Sequence, residues 1–115
     1  MFVNLTPHIV TIQSVCNETS IEISSSGVCR VNTTSQNTGF VDGVPVISMP
    51  IWGDVVGLPD PIPETNYIVS LIVLDALRAS GSNRRDCFAP ATGPNDGVIR
   101  NEKGHIVAVT KLVGL

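Results

Sequence analysis

Apolar and polar residues alternate in short segments along the first half of the chain, a pattern typical of β-strands. Residues 9–13 alternate in this way, and residues 39–47 form two such segments around Asp42-Gly43. An Asp-Gly pair between β-branched residues predicts a tight hairpin. Turn residues recur roughly every ten positions, as in small sheets built from short strands.

Prolines interrupt this alternation between residues 57 and 66, where Pro59, Pro61 and Pro63 fall within five positions. Each proline fixes its own φ, removes a backbone donor and restricts the residue before it. The segment is therefore predicted to be a stiff, extended connector. It is too short to separate two domains.

The segment from Tyr67 to Ala79 changes character along its length. Its first part is rich in β-branched residues and predicts a strand at 67–69. Its second part consists of good helix formers, which predicts a helix at about 71–79 with Ser70 near its cap. The helix is apolar almost all round and should lie against the sheet. A single longer buried strand has a similar pattern and remains the alternative.

Two further elements are predicted in the last third of the chain. Residues 84–90 form a short strand led by charged residues, and Asn95-Asp-Gly97 opens a final hairpin in which 98–100 pairs with 106–110. Together the elements predict one α+β domain over residues 1–115. Its expected architecture is a small, twisted, mostly antiparallel sheet or open barrel with one helix.

Composition narrows the class of protein. With 115 residues and 43% hydrophobic residues, the chain can bury a core without disulfides or metal. A net charge of −3 disfavours binding to a nucleic acid polymer, which requires many basic residues along the phosphates. Only 15% of residues are charged, which indicates that part of the surface meets another subunit in a homo-oligomer.

The same sequence predicts a cytoplasmic location. No apolar run is longer than four residues, as at 71–74, which is far too short to span a membrane, and the N-terminus lacks the pattern of a signal peptide. Three cysteines, Cys16, Cys29 and Cys87, form an odd set that is typical of reduced thiols.

No spacing in the chain matches a catalytic, metal-binding or phosphate-loop motif. A cysteine can be paired on paper with His8 or His105, but no local pattern supports such a pair. We therefore predict no catalytic residue, no metal site and no cofactor.

Arginine is the most informative residue type for ligand binding. Arg84 and Arg85 are adjacent, and Arg30 is a lone charge within a predicted strand. A guanidinium presents five donors in a planar fork that suits phosphate. The alternative is that the arginines of this chain form ordinary salt bridges with Asp54, Asp75 and Asp86. Arg85 and Asp86 are strand neighbours that point to opposite faces, so they should not neutralise each other.

Residues 4–8 interrupt the first strand with a polar corner. Asn4 or Thr6 can cap a turn that Pro7 stiffens. His8 either bonds a carbonyl within the fold or donates to a ligand. Among the aromatic residues, Trp52 and Tyr67 are candidates for stacking on a base, although a place in the core is the alternative for each.

The chain resembles a widespread family of small phage and prophage proteins along nearly its whole length. The resemblance rests on segments 4–10, 27–31, 55–61, 65–70, 84–90 and 95–99, among them Asn-Leu-Thr-Pro-His and Arg-Arg-Asp-Cys-Phe-Ala-Pro. It implies a phage accessory protein that acts in the cytoplasm of a bacterial host. Small phage proteins of this kind can sequester a nucleotide-derived immune signal, as anti-Thoeris and anti-CBASS sponge proteins do.

Resemblance and residues together lead to one expected function, a non-enzymatic protein that binds a cyclic nucleotide or an ADP-ribose derivative. The arginines would contact phosphates, the corner would bond the ribose or base, and an aromatic ring would stack on the base. The predicted ligand-binding residues are Asn4, Thr6, His8, Arg30, Trp52, Tyr67, Arg84, Arg85 and Asp86. The alternatives are an accessory protein that binds a host or virion protein, and a hydrolase of the same signal with His8 as general base.

Overall fold

A computed structural model of the chain describes residues 1–14 and 19–115. Within these residues it contains twelve strands and one helix. They are β1 (Phe2–Asn4), β2 (Val10–Gln13), β3 (Ser20–Ile23), β4 (Arg30–Thr34), β5 (Asn37–Val41), β6 (Val44–Ile47), β7 (Ile51–Val56), β8 (Asn66–Ile68), α1 (Leu71–Ala79), β9 (Cys87–Pro90), β10 (Ile99–Arg100), β11 (Ile106–Ala108) and β12 (Leu112–Gly114). The α+β prediction is confirmed.

A four-stranded sheet in the order β1-β8-β9-β12 forms the centre of the fold. Strands β1, β8 and β9 are parallel to one another, and β12 is antiparallel to β9. The remaining pairs, β2–β3, β4–β7, β5–β6 and β10–β11, are antiparallel. Most strand pairs are therefore antiparallel, as predicted, and none of these sheets closes on itself. The parallel centre arises because α1 connects β8 to β9, and parallel neighbours need such a crossover.

Helix α1 begins and ends where the sequence predicts. The Oγ of its N-cap residue, Ser70, accepts a 3.3 Å hydrogen bond from the backbone N–H of Val73. Gly81 follows the last turn with φ of +76°, a conformation that glycine adopts without strain. Strand β8 at Asn66–Ile68 lies one residue earlier than predicted. The alternative of one long strand is wrong.

The core lies between α1 and the central sheet. Tyr67, Val69, Val73, Leu74 and Cys87 are each at most 3% exposed and pack in one cluster. Burial of this cluster removes apolar surface from water and holds the helix on the sheet.

Strands β4–β7 continue into β5–β6 as one two-stranded ribbon. Beyond the pair Thr34↔Ile51, the backbone N–H of Ser48 bonds Gln36 at 2.7 Å and the ladder resumes at Asn37↔Ile47. Asp42 and Gly43 turn the chain with φ of +50° and +80°, which confirms the predicted hairpin.

We call the distal hairpin, residues 37–47, the arm. No other described element packs extensively against it. The described chain has a radius of gyration of 16.7 Å and extents of 53 × 39 × 22 Å. A compact domain of this length has a radius of gyration of about 13 Å. The arm thus projects from the body that contains the core.

Candidate functional site

The corner after β1 is a closed hydrogen-bond network centred on Asn4, which is fully buried. Its Nδ2 donates to the carbonyls of His8 at 2.7 Å and Ile23 at 2.8 Å. Its Oδ1 accepts from the N–H of Thr6 at 2.9 Å and from Thr6 Oγ1 at 2.7 Å. Both amide hydrogens are thereby used, and Oδ1 accepts from the Thr6 N–H and, when the Thr6 hydroxyl points to it, from Oγ1 as well. Asn4 caps the turn, as one interpretation predicted, and its amide has no donor or acceptor left for a ligand.

Thr6 and His8 serve the same turn in different ways. Thr6 Oγ1 lies 2.7 Å from Asn4 Oδ1 and 3.0 Å from the His8 carbonyl. Because the hydroxyl has a single proton, it donates to one of these two oxygens at a time. His8 contributes only its backbone carbonyl. Its imidazole is exposed and forms no hydrogen bond within the described part of the chain. The interpretation that the imidazole itself bonds a carbonyl is therefore wrong.

Arg84 and Asp86 form a two-pronged ion pair in front of β9. Arg84 Nε lies 2.8 Å from Oδ1 and Nη2 lies 2.9 Å from Oδ2, while Nη2 also donates to the Pro59 carbonyl at 2.9 Å. The two side chains are only 18% and 16% exposed. The hydrogen bond from Arg84 holds the pKa of Asp86 below its ordinary value, and the same bond raises the pKa of Arg84. The salt-bridge alternative is thus realised for Arg84.

Arg85 differs from its neighbour, because it is exposed and has no ion pair within the described residues. Arg84, Arg85 and Asp86 together line a cleft of about 390 Å³. We call it the arginine cleft; its other lining residues are Pro61, Ile62, Glu64, Thr65, Asn66 and Asn83. Three of the predicted ligand-binding residues are therefore brought together.

The polar corner and the arginine cleft lie at opposite edges of the central sheet. Strands β1, β8 and β9 run in the same direction, with Val3 level with Tyr67 and Tyr67 level with Cys87. The corner follows the end of β1, whereas Arg84–Asp86 precede the start of β9. Parallel strands place their starts and ends at opposite edges, so the corner and the arginines are separated along the strands, and contact of both with one ligand stays a prediction.

The other three predicted residues lie outside the arginine cleft. Tyr67 is 2% exposed in the core, so its ring is not available for stacking on a base. Arg30 is exposed at the base of the ribbon, opposite Val56, and lines neither cavity described here. Trp52 is half-buried in a second cavity of about 410 Å³, between α1 and β12. We call this second cavity the apolar groove.

Cys29 and Cys87 are free thiols in the core. Burial raises the pKa of both, that of Cys87 to about 11, with the Asp86 carboxylate adding to the effect. Both are protonated near neutral pH and are therefore weak nucleophiles. Cys16 lies outside the described residues. Among the residues that the structure describes, no group of three His, Cys, Asp or Glu side chains could hold a metal ion.

Sequence reasoning missed Asn66 and Asn83, which also line the arginine cleft. The one sequence feature that indicates Asn83 as a cleft residue is its position directly before Arg84. Asn66 lies at the end of the proline connector and reaches the arginines only because β8 and β9 are neighbours in the sheet.

Comparisons with protein-family models, with curated proteins and with solved structures find no match for this chain. Over residues 1–14 and 19–115, no helix is long and apolar enough to cross a membrane.

Proposed function

We propose that this protein is a non-catalytic binding protein that captures a small phosphate-bearing ligand in the arginine cleft. One observation carries the proposal: the guanidinium of Arg84 is fixed by Asp86 and Pro59 in a cleft that Arg85, which has no ion pair among the described residues, also lines. A cyclic nucleotide or ADP-ribose derivative is the ligand class, and a phage sponge for a host immune signal is the corresponding biological role.

The two arginines contribute differently to such a site. Arg84 uses Nε and Nη2 within the protein, while its Nη1 forms no hydrogen bond in the described part of the chain. A donor that is already held in place loses little conformational entropy when a ligand binds. Arg85 supplies the charge that no carboxylate pairs with, and its planar fork suits two oxygens of one phosphate.

The charge balance of the cleft sets the mode of recognition. Two guanidiniums, Arg84 and Arg85, share it with two carboxylates, Asp86 and Glu64. The cleft therefore has no strong positive field, and selectivity must come from directional hydrogen bonds. The carboxamides of Asn66 and Asn83 can supply them to ribose hydroxyls or to a base edge. The absence of a strong field also predicts a weaker salt dependence than for a polynucleotide-binding protein.

Calorimetry with cyclic dinucleotides, cyclic ADP-ribose isomers and ADP-ribose tests the proposal. We expect at least one of them to bind, and Arg85→Ala to weaken its affinity about 10- to 100-fold, as for loss of a hydrogen bond to a charged group. Arg30→Ala, a change at an exposed arginine outside the cleft, is the matched control and should leave the affinity unchanged. Absence of heat and of any thermal shift across the whole panel would refute the proposal.

Recovery of the ligand separates a sponge from a hydrolase. The complex is filtered, heated and filtered again, and the released ligand is identified by mass spectrometry. Intact ligand supports sequestration, whereas a hydrolysed product would favour the hydrolase alternative.

A second candidate function is that of an interaction protein for a host or virion protein. The observation that favours it is the arm, whose apolar side chains are exposed. A stable partner in pull-downs together with a protein spectrum free of nucleotide absorbance would support this candidate.

A further inference from the structure

The arm exposes apolar side chains on both of its faces. Val41, paired with Val44, lies on one face, and Phe40, paired with Pro45, lies on the other. Phe40 is 69% exposed, and Val41 and Val44 are each 61% exposed. A two-stranded hairpin with nothing packed on either face is at best marginally stable in water. The arm therefore needs a covering surface.

The size and chemistry of the exposed surface indicate what covers it. With the adjoining Met49 and Ile51, the arm exposes roughly 800 Å² of apolar surface, on the order of what one partner contributes to a standard protein interface. Asp42 at the tip is the only charged residue between positions 37 and 47. An anionic membrane or a polynucleotide would need basic residues that the arm lacks. The matching surface is an apolar protein surface.

The body of the same chain carries such a surface. The apolar groove is lined by Trp52, by Leu71 and Ile72 at the start of α1, by Val113 in β12 and by Leu115 directly after β12. Leu71 is 52% exposed and Ile72 is 56% exposed. Its volume of about 410 Å³ leaves room for an aromatic ring. Leu71 and Ile72 thus leave an apolar part of α1 uncovered at the groove, beside the paired Asp75 and Arg78, which also line it.

An arm cannot easily cover the groove of its own chain. Trp52 belongs to β7, and the arm continues the β4–β7 ladder away from the body. To fold back, the ribbon would have to break hydrogen bonds near Thr34↔Ile51. A second copy related by a two-fold axis offers two identical arm–groove contacts at once.

We propose that two copies of this chain exchange arms, each placing Phe40 and its neighbours in the apolar groove of the other. Phe40 is the central anchor, because a large aromatic side chain in a pocket contributes most to such an interface. The pairing is independent of ligand binding in the arginine cleft, which lies on different residues. It also identifies a second copy, rather than a host protein, as the occupant of the arm.

Light scattering coupled to size exclusion, carried out on the full chain, measures the association. We expect the wild type to have twice the 12.2 kDa mass of one chain at micromolar concentrations. Phe40→Asp in the arm and Ile72→Asp in the groove should each yield a monomer that keeps the helical circular dichroism signal of α1, while the uncovered arm loses part of its strand signal. Ile9→Asp, at a residue 59% exposed outside both surfaces, is the control and should remain dimeric.

Mixing the two monomeric variants gives the decisive result. Phe40→Asp keeps an intact groove and Ile72→Asp keeps an intact arm, so together they should form a one-to-one heterodimer through a single arm–groove contact. A wild-type monomer would overturn the proposal. So would an Ile72→Asp dimer, which would mean that arms pair with arms, and so would a mixture that stays monomeric. Ligand binding by Phe40→Asp tests the arginine cleft separately, so either proposal can fail alone.

Discussion

Asn4 donates a 2.7 Å hydrogen bond from its side-chain amide to the backbone carbonyl of His8, four residues along the chain. The bond closes the corner that interrupts the first strand, and the same amide reaches across to the Ile23 carbonyl. This relationship explains why a polar residue stands inside an apolar strand. Asn4 is fully buried with all its hydrogen bonds made, which is the condition under which burial of an amide is tolerated.

Asn4→Ala should therefore lower the free energy of unfolding by about 2–4 kcal/mol, because it leaves buried donors and acceptors without partners. Urea unfolding at neutral pH measures the change. His8→Ala is the matched control: the backbone carbonyl remains, and the change at an exposed imidazole should stay within about 0.5 kcal/mol. An equal loss in both variants would contradict a network centred on Asn4.

Asp86→Asn should destabilise the protein by about 1–3 kcal/mol at pH 7, because Arg84 loses its charged partner in a mostly buried position. The sign of the pH dependence follows from the lowered pKa of Asp86. The stabilisation is present above the pKa of an unfolded aspartate, about 4, and is lost as the pH falls through the folded value. The difference between wild type and variant should therefore shrink in acid.

Urea unfolding between pH 7 and acid conditions checks the Asp86 prediction. Asp75→Asn provides the comparison, since Asp75 pairs with Arg78 at the surface, where the side chains are 46% and 77% exposed. An exposed pair contributes about 0–1 kcal/mol. A constant difference between wild type and Asp86→Asn at every pH would show that the ion pair is not its source.

Cys29 and Cys87 should resist alkylation in the folded protein. Burial raises the pKa of Cys87 to about 11, so its thiolate is scarce at pH 8. We expect labelling by iodoacetamide to be about 100-fold slower than in urea, read for each cysteine by peptide mass spectrometry. Because the Cys87 thiol ionises at a higher pH in the folded than in the unfolded chain, burial of the neutral thiol contributes fully to the free energy of unfolding below pH about 8.5. This contribution is lost as the pH rises through the folded pKa of about 11. Equal rates in both states would contradict the burial.

Ser70→Ala should cost about 1 kcal/mol, because the N–H of Val73 loses its side-chain acceptor at the start of α1. Ser70→Asp keeps an acceptor at the same position and should retain most of the stability. Thermal unfolding followed by circular dichroism compares the two. If both variants lose the same stability, the hydroxyl does not cap the helix.

Local features of this fold could be predicted because residues close in sequence determine them. Asp42-Gly43 forms the hairpin turn and Ser70 caps a helix at Leu71–Ala79, as their side chains and neighbours require. The pairing of Arg84 with Asp86 is also local, since the two residues lie only two positions apart in the chain.

Only the tertiary structure decided which segments meet. The crossover through α1 makes β8 and β9 parallel, and the register then places the corner at one edge of the sheet and Arg84–Asp86 at the other. Tyr67 is buried because its strand lies between two others. Strand order depends on the packing of the whole core, so it cannot be predicted from any short segment of the sequence. The amino-acid pattern thus determined the turns and the helix, and long-range packing determined the cleft, the groove and the projecting arm.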